Sequence, residues 1–308
     1  MADTKNFGRT YISFDWAMKR LLKQKANHAI LEGFLSELLR QDIEVSSLLD
    51  TESLASDADD KTNRVDLLYK NSRNEHIIVE IQYHYQIDYF QRMLFGTSAL
   101  VLQHLRKGSP YGEIKKVYSV HILYFDLGQG ADYVYHGLLH FTGIHQNDPL
   151  QLSKPQREKY GRTYAGELYP EYFLLKINNF DRISKDSLDE WIYYFKTSEL
   201  PKAYRAKGLE EVEKQLNINA MQPELKEQYM QHLRELKISE NVLESTWLEG
   251  EAKGIEKGIE KGRNERQQQL ESAIQIMFEH GMTPAFMAEK LAIPTAEIEH
   301  ILKKAGRP

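Results

Sequence analysis

The chain contains no cysteine. That absence excludes disulfides, thiolate zinc centres and cysteine nucleophiles, and it suits a reducing, cytoplasmic compartment. There is also no apolar run near the roughly 18 residues that a membrane-crossing helix requires, so no membrane partner is expected. The first residues, Met1-Ala2-Asp3-Thr4-Lys5-Asn6, carry no apolar signal segment. Basic charge is not in excess: 40 Lys and Arg stand against 45 Asp and Glu, a net charge of −5. The whole-molecule field therefore does not favour nucleic acid, and any DNA contact has to come from a local basic patch.

What is present is enough apolar material for a core: 41% hydrophobic and 11% aromatic residues over 308 positions. Trp16, Leu21, Leu22, Ile30, Leu31, Phe34, Leu35 and Leu38 recur at helical spacing, which predicts a helix over about 15–40, broken near Lys25-Ala26-Asn27 and capped by Ser13. Strands are predicted at 43–54, 64–70 and 76–83, a helix at 89–105, and an apolar, central strand at 117–125. Further strands at 133–144 and 167–177 widen the sheet. The order is that of a mixed sheet flanked by helices, an α/β (α+β) fold, followed by an all-helical C-terminal extension.

Two of those strands carry the chemistry. Alternation puts Arg64, Asp66 and Leu68 on one face of the first and Ile78, Glu80, Gln82 and His84 on one face of the second. If the strands pair, two carboxylates and an amide converge. Oxygen ligands of that kind suit a hard divalent cation, with a polar neighbour to orient water. Strand logic alone equally allows solvated face acids paired with Arg64 and Lys61. Asp15 and Lys19, one helical turn apart, read as an ion pair or as an approach to the site. Gln86 and Arg92 read as ordinary helix polarity or as contacts to phosphate or to a metal-bound water. Arg106, Lys107, Lys115 and Lys116 read as a solvated turn or a phosphate grip. Asp57-Ala58-Asp59-Asp60 lacks the glycine and terminal glutamate of a calcium loop. His136 and His140 have no third ligand in view.

The C-terminal third is helical. Residues 188–195, 209–216 and 223–237 are predicted helices. Gly250 to Gly262 is a four-residue Gly-Ile-Glu-Lys repeat, read either as a solvated helix or linker or as a surface for close packing against a partner helix. Three short helices follow, with Thr283-Pro284 and Ile293-Pro294-Thr295 as their starts. This unit has a helix-turn-helix shape, but Glu297 and Glu299 suit DNA contact poorly.

The string Asp60-Lys61-Thr62-Asn63-Arg64-Val65-Asp66-Leu67-Leu68, followed by Glu80-Ile81-Gln82, resembles the recombination-promoting nuclease (Rpn) or putative transposase group of the PD-(D/E)XK nuclease superfamily. The resemblance begins at Asp15 and Lys19, continues through Arg92, Gly108, Tyr111 and 117–123, and includes the C-terminal repeat. It implies a restriction-endonuclease-like core at 1–180, a helical subdomain at 181–240, the charged repeat at 241–270 and a small bundle at 271–308. It implies a Mg²⁺-dependent DNA endonuclease, with Mn²⁺ able to substitute and a role in recombination or transposition. Asp66, Glu80 and the backbone carbonyl of Ile81 would hold the metal, and Gln82 stands where the superfamily usually has lysine. Lys61, Arg64, Gln86, Arg92, Asp15 and Lys19 would support the site or contact DNA. A glutamine brings no positive charge to the transition state, so slow cleavage, or help from Lys61, Arg64 or Arg92, is expected. The alternative is a weak or inactive nuclease-fold protein that binds DNA or a partner. A homodimer held by the C-terminal helical region is the expected assembly.

Overall fold

Helices and strands follow the apolar patterning in the computed structural model, which describes residues 9–22, 27–49, 66–104 and 108–306. Two units result, Met1–Met230 and Gln231–Pro308. In the first, α1 (Phe14–Arg20) and α2 (His28–Leu39) precede β1 (Val45–Leu48), β2 (Leu67–Asn71) and β3 (His76–Gln82). Then come α3 (Tyr89–His104), β4 (Val117–Leu123), β5 (Val134–Gly137), α4 (Lys154–Tyr160), β6 (Glu171–Lys176), α5 (Ser187–Thr197) and α6 (Leu209–Gln215). The six-stranded sheet has the order β1-β2-β3-β4-β6-β5. Strands β3, β4 and β6 run parallel, and the outer pairings are antiparallel.

All seven residues of β4 are buried. The cause is its central place: it is paired on both edges and covered on both faces, so apolar side chains serve on either side. On one face, Leu100 of α3 packs with Leu68, Ile78 and Val117, while Tyr89 and Met93 pack with Leu123, Phe125 and Leu127. Aromatic edges join α1, α2 and α5, where Phe14, Phe34, Trp191 and Phe195 have ring centroids 4.5–6.2 Å apart. Close packing there depends on Gly33, because a Cβ at that position would lie 2.2 Å from the Lys207 carbonyl oxygen.

Several boundaries differ from expectation. Ser13 occupies the N-cap of α1, but its hydroxyl makes no capping bond. The strand expected over 133–144 stops at Gly137, beyond which Gly143 and Asp148 close a local turn. The strand expected from 167 starts at Glu171, after a 3₁₀ turn at Ala165–Leu168 and Pro170. Helix α4 was not anticipated, although Ser153, Pro155 and Gln156 are a capping-box start, with Ser153 N donating to Gln156 Oε1 at 2.9 Å. Residues 50–54 and 57–60, with their expected strand end and acidic loop, lie outside the described residues, as do Arg106 and Lys107.

Helix α7 runs from Pro223 to Glu279 without a break, 57 residues in all. The segment anticipated as a separate charged repeat is therefore continuous helix, supported by i,i+4 pairs such as Lys253–Glu249 at 3.7 Å and Lys261–Glu265 at 3.8 Å. In the second unit the end of α7 joins α8 (Pro284–Leu291) and α9 (Thr295–Lys304) around Ile274, Met287, Ile298, Ile301 and Leu302. Thr283 caps α8 by accepting from Phe286 N. No helix among the described residues is long and apolar enough to cross a membrane.

Candidate active site

Strands β2 and β3 pair antiparallel, with Leu67 opposite Val79 and Leu68 opposite Ile78. Asp66 immediately precedes β2, and the Glu80 charge of β3 acts on its carboxyl. Parallel pairing then sets His121 of β4 beside Glu80. Glu80 and His121 are thus neighbours on β3 and β4, met by Tyr89 of α3, with Asp66 just before β2.

At Asp66 the side chain takes over from the strand ladder. Its Oδ2 accepts the Ile81 N–H at 2.8 Å. In β3 the even-numbered residues bond β4, as the bonds from His76 N to Lys116 O and from Tyr124 N to Gln82 O show. The backbone groups of Ile81 therefore face the β2 side, and its carbonyl shares that edge with the Asp66 carboxylate.

Glu80 is 5% exposed. Its Oε2 accepts from the Tyr89 hydroxyl at 3.3 Å and lies 3.5 Å from His121 Nδ1. Tyr89 and His121 touch at 2.9 Å, and Ser119 Oγ lies 2.7 Å from His121 Nε2. Burial pushes the Asp66 carboxyl above its ordinary range; the Glu80 charge adds to this, while the Ile81 N–H, Lys19 and Arg92 oppose it. Burial also works against ionised Glu80, yet the His121 contact, the Arg92 charge and the Tyr89 hydroxyl together hold it below the usual value. The two acids are thus shifted in opposite directions from their ordinary values.

The other sequence-predicted residues divide. Lys19 and Arg92, from α1 and α3, place positive charge on Asp66, and Arg92 also acts on Glu80. Arg92 donates to Gln86 Oε1 at 3.2 Å, so these two stand together at the rim. Gln82 is half-buried on the Glu80 face, and its amide donates to the His84 carbonyl at 3.4 Å. Asp15 goes elsewhere: it is fully buried and hydrogen-bonded to Tyr83, in a cluster with Arg9. Lys61 and Arg64 lie outside the described residues. Lys116 is no phosphate grip, because its ammonium is buried against Glu171 at 2.8 Å and the carbonyls of Glu167 and Tyr169. His136 bonds Glu171 at 3.0 Å and stacks on Phe173. Residues 12–155 match the family described as PD-(D/E)XK nuclease family transposase. Over that segment the chain is similar to that family.

No curated protein and no solved structure matches the chain. The mixed sheet with flanking helices is an α/β PD-(D/E)XK-like fold, and the family supports a nuclease-like function. Among the described residues no group of three or more His, Asp or Glu side chains is gathered as a metal cage. The donors at hand are the Asp66 and Glu80 carboxylates and the Ile81 carbonyl. This oxygen set fits a hard divalent ion that keeps most of its own water, and such an ion would offset the burial, and the smaller Glu80 repulsion, that raise the Asp66 pKa. Tyr89, His121 and Ser119 were given no role from sequence. The signal available was Ser119 and His121 alternating on one face of an otherwise apolar central strand.

Proposed function

We propose that this PD-(D/E)XK chain is a Mg²⁺-dependent DNA endonuclease in which Asp66, Glu80 and the Ile81 carbonyl hold the ion. The observation that carries the reading is the Ile81 N–H donated to Asp66 Oδ2 at 2.8 Å, which holds that carboxylate against β3 beside the Glu80 charge. When bound, Mg²⁺ would neutralise charge at the scissile phosphate and lower the pKa of a water. Gln82 orients that water through its amide. Lys19 and Arg92 supply the positive charge that a motif lysine would bring, from helices rather than from β3. DNA is the substrate, and recombination or transposition in the cytoplasm is the setting. The C-terminal helical region holds two copies together. Purified protein should nick plasmid DNA with Mg²⁺ or Mn²⁺, and Asp66→Ala should abolish nicking. Equal cleavage by that variant refutes the assignment, and a single-chain mass in light scattering refutes the dimer.

A second reading rests on Gln82, whose amide turns back to the His84 carbonyl. On that reading the chain is a nuclease-fold binder of DNA or of a protein partner, without catalysis. Calorimetric Mg²⁺ titration separates the two: absence of binding favours the binder, and binding lost in Glu80→Ala favours the enzyme.

A further inference from the structure

We propose that Ser119, His121 and Tyr89 form a one-directional hydrogen-bond relay that positions the Glu80 carboxylate for a divalent cation, an inference that rests on the metal-binding reading above. Tyr89 enters from the first turn of α3 and is fully buried. Its hydroxyl has a single proton, and in this relay that proton goes to Glu80 Oε2 at 3.3 Å. The 2.9 Å contact between Tyr89 and His121 Nδ1 must therefore be an N–H donated by the ring to the phenol oxygen. With Nδ1 protonated, Nε2 accepts from the Ser119 hydroxyl at 2.7 Å. Donation runs Ser119 to His121 to Tyr89 to Glu80, and each polar atom buried along it has a partner.

The relay ends on one oxygen of Glu80. Among the described residues every contact to this carboxylate falls on Oε2. The side chain is held by one oxygen, and Oε1 is the atom left to serve as ligand. Packing alone does not require this arrangement. A phenylalanine at position 89 would fill the same space against Met93, Leu123 and Phe125, and would keep the edge contact with His121. The hydroxyl is what the Glu80 site requires. Partners that orient a ligating carboxylate typically contribute 10–100-fold in metal affinity. The Tyr89–Glu80 bond is long for an O–H···O contact, which puts the expected effect at the lower end.

The test uses full-length, metal-free protein and Mn²⁺ calorimetry. Tyr89→Phe should weaken Mn²⁺ binding about tenfold. Phe125→Leu, which loosens packing around the same ring and leaves the hydroxyl, should lower the melting temperature and keep the affinity within about twofold. In ¹⁵N spectra of the wild type, the His121 ring should carry its proton on Nδ1. Unchanged affinity in Tyr89→Phe beside a binding wild type, or a proton on Nε2 alone, overturns the relay and leaves the nuclease reading standing. A wild type that binds no Mn²⁺ overturns both.

Discussion

Asp66→Asn should have opposite effects on stability and on function. In the metal-free protein the ionised carboxylate is disfavoured by burial and by the neighbouring Glu80 charge. The amide removes that charge and keeps an oxygen to accept the Ile81 N–H, so the variant should melt higher than the wild type in chelator. Saturating Mn²⁺, at roughly 100 times its dissociation constant, stabilises a binding protein by about 2.7 kcal/mol. Each kcal/mol shifts a domain of 150–250 residues by about 2–4 °C, and the unit that holds the site spans Met1–Met230. The wild type should therefore gain about 5–11 °C with Mn²⁺, and Asp66→Asn almost nothing. Thermal melts followed by circular dichroism, with EDTA and with Mn²⁺, give all four values. An equal Mn²⁺ shift in both proteins, or a variant that melts lower in EDTA, would refute the reasoning.

Acidity should weaken the metal site, because Asp66 binds its proton more tightly than a free carboxyl. Mn²⁺ affinity should fall as pH drops through that raised range, and a flat profile counts against Asp66 as ligand. In metal-free protein the two acids act oppositely on stability. Asp66, its folded pKa raised, favours the fold at low pH and loses that contribution as pH rises through the folded pKa; Glu80, lowered, contributes above its unfolded pKa and loses it as pH falls through the folded one. The double variant Lys19→Gln with Arg92→Gln should slow plasmid nicking by about 10²-fold at saturating Mg²⁺, and full activity there would show that the charge comes from elsewhere. Lys116→Met leaves Glu171 and two carbonyls without their cation, so urea denaturation should show a loss of about 3–5 kcal/mol, with nicking in native buffer unchanged. Gly33→Ala should cost about 1–3 kcal/mol through overpacking, since the added methyl meets backbone at Lys207; a stabilised variant would contradict that contact.

Much of the site was readable because strand alternation is local. Once 64–70 and 76–83 are extended, the faces of Asp66, Glu80 and Gln82 follow without knowledge of the fold. Lys19 had two readings, an ion pair with Asp15 one helical turn away or an approach to the site. The charge it places on Asp66, and the diversion of Asp15 to Tyr83, depended on where α1 lands. The repeat had been read as a solvated helix or linker because four glycines argue for fraying by intrinsic propensity; α7 runs through all four, with i,i+4 ion pairs beside them.

Spacing and residue type alone therefore determined the order of elements as far as the central strand, expected over 117–125, and pointed to one shared face for two acids. Tertiary structure decided what surrounds those acids. Tyr89, Arg92, His121 and Lys19 reach them from two helices and a third strand, and no local period relates positions so distant in sequence. The opposite shifts of Asp66 and Glu80 from their ordinary values have the same origin, since burial and neighbouring charge exist only once the chain has closed over them.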